Sequence, residues 1–247
     1  MEPKKFCILF RWELEKNLSL PVLTFLIVSA LIVVLAQTNS SVLSDRNFLN
    51  LYFGSGNVFY ILTIVASAFL SRSFAGSIEK GELNLLLSYP IQRWEIFISK
   101  FTTIFITIFI VYSVAFSLRI YLYLLSPYDP LFYLSLFAFF LHLLLVSGVS
   151  ITVSIITKNE VMSLAASILL LLGLESAAGT SIYLSAQGRF LYLFQYFGKI
   201  TRGILPFGEE IIVTTNDVAI AIFIPILIFL VLFFLSFIYL TRAMEFD

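Results

Sequence analysis

Long apolar runs separated by short charged stretches dominate this chain. Six runs are read, at about 20–36, 57–75, 95–125, 131–157, 161–178 and 218–240. About 20 helical residues cross a hydrocarbon core of roughly 30 Å, so each run predicts a membrane-spanning helix. Apolar positions are continuous and do not alternate, which favours helices over barrel strands. The third run exceeds one crossing and predicts a helix that tilts or projects.

Two stretches carry other patterns. In residues 3–17, Phe6, Leu9, Phe10 and Leu14 share a helical face, with Lys4, Lys5, Arg11 and Glu15 off it. An amphipathic helix on the membrane surface is expected there. A solvated lead into the first span has the same geometry. Residues 180–217 contain an aromatic-rich stretch at 189–197, then Gly198, Gly203, Pro206 and Gly208. One or two short interfacial helices are expected, broken at the glycines and Pro206. A structural cap on the bundle is the plain role; a gate or cargo exit is the sharper one.

Composition agrees. Hydrophobic residues make up 60% and charged residues 12% of the 247 residues. A soluble domain has about 45–50% and 25%, so too few charges are present to cover a globule in water. The expected fold is an all-α integral membrane protein, one transmembrane domain over 1–247. The formal net charge is zero, so nothing points to nucleic acid. Cys7 is the lone cysteine, which excludes an intramolecular disulfide and a multi-cysteine metal site.

Lys and Arg are retained on the cytoplasmic side and set the orientation. With the N-terminus inside, that side holds Lys4, Lys5, Arg11, Lys16, Arg72, Lys80, Arg93, Lys100, Lys158 and Arg242, ten of the 15 basic residues. Six crossings return the C-terminus to the same side. The expected location is the plasma membrane, multi-pass, with both termini cytoplasmic. A cleaved leader fits poorly. Acidic Glu2, Glu13 and Glu15 stand near the start, and the first apolar run exceeds the usual 7–15 residues or so. Asn39-Ser40-Ser41 is a glycosylation sequon in the first outer loop.

No nucleotide-hydrolysing motif is present. A phosphate loop needs Gly-x-x-x-x-Gly-Lys-Ser/Thr, and Gly198-Lys199-Ile200 lacks both the hydroxyl residue and the upstream glycine. A zinc hydrolase helix needs two histidines, and His142 is the only one. His142, Arg119 and Glu175 fall within or near spans, where ionisable residues are functional candidates by default. They are read as a candidate polar path. The plain alternatives are a hydrogen-bonded neutral histidine, an arginine snorkelling to the outer headgroups, and an acid paired with Arg119 or Arg189. Small residues in the fifth run (Ser163, Ala166, Ser167, Gly173, Ala177) favour close helix packing.

Residues 79–100 are the most informative stretch. Glu79, Glu82, Arg93 and Glu95 offer charges between two apolar runs, and Leu83, Leu86 and Leu87 can anchor a short helix. Gly81 permits a sharp turn and Pro90 stops a helix. Glu79-x-Gly81, then Leu85-Leu86-Leu87-Ser88, Pro90-Ile91, Arg93 and Lys100 resemble the corresponding segment of ABC-2 type permeases. These are the membrane subunits of type V ABC transporters, NosY-like permeases among them. Glu82 stands where Thr is usual and Ser99 where Gly is usual. Arg11 and Glu13 fall in a charged segment similar to the family's elbow helix.

The resemblance implies a cytoplasmic coupling helix between spans two and three, carried by Glu79, Gly81, Glu82, Leu86, Pro90 and Arg93. It implies a separate ABC ATPase subunit that binds ATP and magnesium, no cofactor in this chain, and a second permease protomer, identical or paralogous. The function expected is that of an ATP-driven exporter subunit. A non-transporting membrane scaffold is the alternative, and an intramembrane enzyme is disfavoured by the lack of a nucleophile–base or metal constellation.

Overall fold

The computed structural model describes residues 3–35, 46–87, 91–123, 128, 130–176, 185–202 and 213–243. Among them there is no strand. The helices are α1 (Pro3–Asn17), α2 (Leu20–Leu35), α3 (Arg46–Glu79), α4 (Glu82–Leu87), α5 (Arg93–Tyr123), α6 (Pro130–Thr157), α7 (Glu160–Ser176), α8 (Ala186–Arg202) and α9 (Thr215–Ile238). A π-helical turn, Tyr239–Ala243, follows α9.

The breaks between helices have local causes. Pro21 has no N–H for the carbonyl of Asn17, four residues back, and its ring crowds that carbonyl. The chain therefore turns by 70° between the end of α1 and α2. Gly81 sits at φ 69°, a left-handed conformation that glycine adopts without steric cost, and this ends α3 and starts α4. Lys158, at φ 54°, turns α6 into α7. Asn159 Oδ1 then accepts from Met162 N at 3.0 Å and caps α7. Thr214 and Asp217 form a reciprocal capping box at the start of α9.

Four helical stretches are long and apolar enough to cross a membrane: Asn57–Glu79, Arg93–Arg119, Phe132–Thr157 and Thr215–Thr241. The bent pair of α1 and α2 makes a fifth if it counts as one span. The fifth expected run became α7, whose 17 residues extend about 26 Å and fall just short of a full crossing. By length the described residues thus hold four to five candidate spans, against six apolar runs.

Packing ranks the helices. In α3 and α6, 72% of the apolar window is buried, against 33% in α5 and 17% in α9. The two central helices hold the middle, and α7, α8 and α9 pack around α6. Hydroxyls join the centre: Ser67 to Ser150 at 3.0 Å, Ser71 to Ser163 at 2.9 Å, and Ser154 to Ser163 at 2.7 Å. Phenylalanines of α5 and α9 interleave, with Phe101 and Phe233 centroids 4.9 Å apart and Phe97 and Phe237 5.6 Å apart. At the far end of α5, Arg119 is buried and donates to the Val33 carbonyl at 2.8 Å. It occupies the last turn of α2, where a cation meets the negative end of the helix dipole. The expected snorkelling of Arg119 to headgroups is corrected: a nearby helix end satisfies it inside the bundle.

α8 also departs from expectation. It runs unbroken through Gly188 and Gly198. Its Phe190, Leu193 and Phe194 are buried against the bundle, and that packing outweighs the glycine penalty. Gly203, Pro206 and Gly208 lie outside the described residues, as does the Asn39 sequon.

At Gly148, α6 meets α9 closely. A Cβ there would stand 3.1 Å from the Phe229 Cα. Gly148→Val is expected to destabilise the protein by about 1–3 kcal/mol through overpacking. Gly173→Val, which meets nothing within 4 Å, is the control. Thermal unfolding in detergent checks it: only the first variant should melt lower.

Candidate functional site

Helices α1, α3, α4 and α5 converge at one end of the bundle, and a chain of polar contacts ties them together. Lys100, on α5, is fully buried. Its Nζ lies 2.7 Å from Glu13 Oε1 of α1 and donates to Ser77 Oγ of α3 at 3.1 Å. Ser77 in turn donates to Glu82 Oε2 of α4 at 3.0 Å. The same Glu82 oxygen takes Lys16 of α1 as its ion-pair partner. Lys16 also lies over the Trp12 ring, 5.4 Å from its centroid. Four helices thus share one ionic relay, Glu13–Lys100–Ser77–Glu82–Lys16.

Local sequence explains the convergence. Leu83 is buried and anchors α4. Leu85, two residues on and so on the opposite side of the helix, is 68% exposed. Ile8, Leu9, Trp12, Leu85, Leu86 and Ile91, with Glu82 at the rim, line a cleft of about 460 Å³ between α1 and α4. The lining of this cleft is largely apolar, and Glu82 is engaged from within by Ser77 and Lys16. Burial works against ionisation of Glu82, but the hydrogen bond and charge of Lys16, aided by Ser77 and Lys100, hold its carboxyl below the ordinary value.

Other residues of the predicted coupling segment take different places. Glu79 faces the turn between α6 and α7: its carboxylate accepts from Asn159 Nδ2 at 2.9 Å and from the Glu160 backbone N–H at 2.8 Å. It sits at the start of α7, where a helix favours negative charge. Lys80 pairs with Glu160 at 3.2 Å. Glu95 is buried and accepts from the Gln92 N–H at 3.2 Å, closing the first turn of α5. Arg93 opens α5. Pro90 lies outside the described residues. On α1, Arg11 is exposed and pairs with Glu15 at 2.9 Å, whereas Glu13 is buried.

The intramembrane candidates separate. His142 is buried on α6, with Nε2 2.9 Å from Thr63 Oγ1 and Nδ1 3.3 Å from Arg189 Nη2 of α8. Glu175 accepts from the Ala186 N–H at 2.7 Å, and the charge it faces is Arg189. Arg119 is committed to the end of α2. Arg189 therefore contacts His142 and lies within the electrostatic reach of Glu175, for which it is an expected partner. Lys100 and Ser77 were missed as site residues. The available signal was a lysine inside an apolar run, which must find a counter-charge. Among the described residues no three His, Cys, Asp or Glu side chains gather where they could hold a metal.

The fold is that of a helical, multi-pass membrane protein. The model of the ABC-2 type transporter family matches residues 10–204, and the chain belongs to that family. It is thus of the membrane-permease class, which implies an ABC transporter whose ATPase is a separate component. No curated protein matches the sequence.

Two outcomes follow from the relay. Removing one partner of a buried pair strands the other, so Glu13→Gln or Lys100→Met alone should cost about 3–5 kcal/mol. Glu13→Leu combined with Lys100→Met should recover most of that loss. Thermal unfolding of the single and double variants tests it; simple additivity would reject the pair. The second outcome concerns pH. The folded pKa of Glu82 is the lower one, so its stabilisation is full above the ordinary value of 4.5 and is lost as pH falls through the folded value. In a Trp94→Phe background, Trp12 fluorescence should step as pH drops through that range. Glu82→Gln should abolish the step.

Proposed function

We propose that this chain is the permease subunit of an ATP-driven exporter at the plasma membrane. Two permease protomers work with two ABC ATPase subunits, which bind ATP and magnesium. Both termini and α4 face the cytoplasm, and α2 and α7 complete a six-span domain. In this reading α1 is the elbow helix, α4 is the coupling helix, and the subtype is NosY-like. The retained positive charge around 3–16 and 72–100 supports the orientation.

The observation that carries the proposal is the ionic relay under α4. A six-residue helix on a loop would transmit little by itself. Here it is pinned through Ser77 and Lys100 to two candidate spans and through Lys16 to α1. Force applied to α4 therefore reaches the bundle as displacement of α3, α5 and α1 together. The apolar cleft beside α4 gives an ATPase a place to seat a hydrophobic side chain, and the charges around it hold α4 in position.

Co-purification tests the proposal. The permease, expressed with candidate ABC ATPases of its own genome, should retain one of them stably. Leu85→Asp should weaken that complex at least tenfold, because it puts a charge on the apolar docking face. Gly81→Val should leave the complex assembled but disturb coupling, since a β-branched residue resists the left-handed turn while meeting no neighbour there. ATP turnover and transport are read together. A permease that retains no ATPase, or a complex indifferent to both changes, would point to a scaffold.

A further inference from the structure

Helices α2 and α7 both pack against α3 but make little contact with each other. The wedge left between them is a groove of about 270 Å³, lined by Val22 and Phe25 of α2, Phe69 and Arg72 of α3, and Glu160 and Leu164 of α7. The Phe25 and Phe69 rings stack at 6.3 Å and 28°, which gives the groove a flat apolar wall. Pockets that enclose a drug-sized ligand run to about 300–1,000 Å³. This one suits a single hydrocarbon chain, with the rest of its molecule outside.

Toward the α4 end the groove carries charge. Glu160 is committed there: its Oε2 packs onto Gly76, where a Cβ would stand 2.7 Å from it, and pairs with Lys80 at 3.2 Å. Glu79 is engaged in capping α7. Arg72, by contrast, is exposed and has no hydrogen-bond or ion-pair partner among the described residues. It precedes Glu79, the end of its candidate span, by seven residues, about 10 Å along the helix axis. That depth puts the guanidinium near the boundary between hydrocarbon and headgroups, where lipid phosphates lie. An arginine facing lipid within a span is costly unless an anion meets it, and the described residues supply none at contact distance.

We propose that this groove binds one anionic phospholipid from the leaflet at the α4 end, an acyl chain lying along Phe25, Phe69 and Leu164 and the phosphodiester meeting Arg72. A guanidinium pairs two phosphate oxygens through parallel N–H bonds, and the pairing gains strength at the edge of a low-dielectric core. At the rim, Arg72 and Lys80 face Glu160, which leaves one positive charge in excess. That excess favours a lipid with net negative charge over a zwitterionic one, whose own cation it repels. The bound lipid ties α2 to α7 across α3, at a junction the protein leaves unfilled. The site needs only a membrane around the chain, so it stands apart from the assignment of an ATPase partner.

Native mass spectrometry of the full chain in detergent tests it, with dioleoyl-phosphatidylglycerol, dioleoyl-phosphatidylcholine and glycerol 3-phosphate as probes. The wild type should hold one phosphatidylglycerol, bind it about fivefold tighter than phosphatidylcholine, and hold no glycerol 3-phosphate. Arg72→Gln should erase that preference, and Arg72→Lys, which keeps the charge without the fork, should hold part of it. Leu164→Trp, which fills the groove, should weaken both lipids. Melting temperatures without added lipid establish that each variant folds; Arg72 is exposed, so its replacement leaves no buried partner behind. Equal retention of the two lipids by the wild type, or a preference that survives Arg72→Gln, would overturn the site and make Arg72 an ordinary snorkelling cation. A preference untouched by Leu164→Trp would place the lipid elsewhere. Glycerol 3-phosphate competing as well as the lipid would leave an anion site with no role for the groove.

Discussion

Lys100 is a cation with no exposed surface, and its need for a counter-charge organises one end of the molecule. A buried ammonium without a partner is untenable at a cost of several kcal/mol. Glu13 meets that need only if α1 folds back beneath α5, and Ser77 contributes only if α3 ends beside them. The 70° turn at Pro21 makes the first requirement geometrically possible. Glu82 then joins through Ser77, and the short α4 acquires a fixed position that its six residues could not secure alone. One Glu13 oxygen still lacks a partner among the described residues, so the pair fixes geometry at some expense in stability.

Local chemistry was legible in the sequence to a degree that long-range pairing was not. The periodicity of residues 3–17 predicted α1, and Gly81 and the apolar runs predicted the ends of most helices to within a few residues. The exceptions are physical. The 57–75 run became part of a longer helix beginning at Arg46, which continues through Gly54, Ser55 and Gly56. Gly198 failed to break α8 because tertiary burial overrides propensity. For the site, the motif drew attention to Glu79 and Glu82 as charges facing outward. Their partners, Glu160 and Lys16, lie 81 and 66 residues away, a separation at which sequence spacing carries no distance information. The same holds for Glu13 with Lys100 and for His142 with Arg189.

Aromatic register shows the limit from the other side. Phe97, Phe101 and Phe105 recur every four residues, as do Phe229, Phe233 and Phe237. Each set marks a helical stripe, but any apolar stripe in a membrane helix can face lipid. Only the pairing of the two stripes, seen in the ring contacts of α5 and α9, separates an internal seam from a lipid-facing surface.

The interior between the two charged ends determines what can move. Helices α3, α6 and α7 are joined at successive levels by hydroxyl contacts, and Gly148 lets α9 approach α6 closely. Each hydroxyl bond is modest, about 1 kcal/mol, but several at fixed spacing oppose sliding, because a slip would break all of them at once. Glu79 adds a further tie by capping α7 from the end of α3. These helices therefore respond as one body. Ser77 lies at one end of that body, and the other end carries Thr63, Glu175 and His142, which takes Arg189. The two buried charge clusters thus sit at opposite ends of one stiff core, and among the elements least packed against it are α1 and α4.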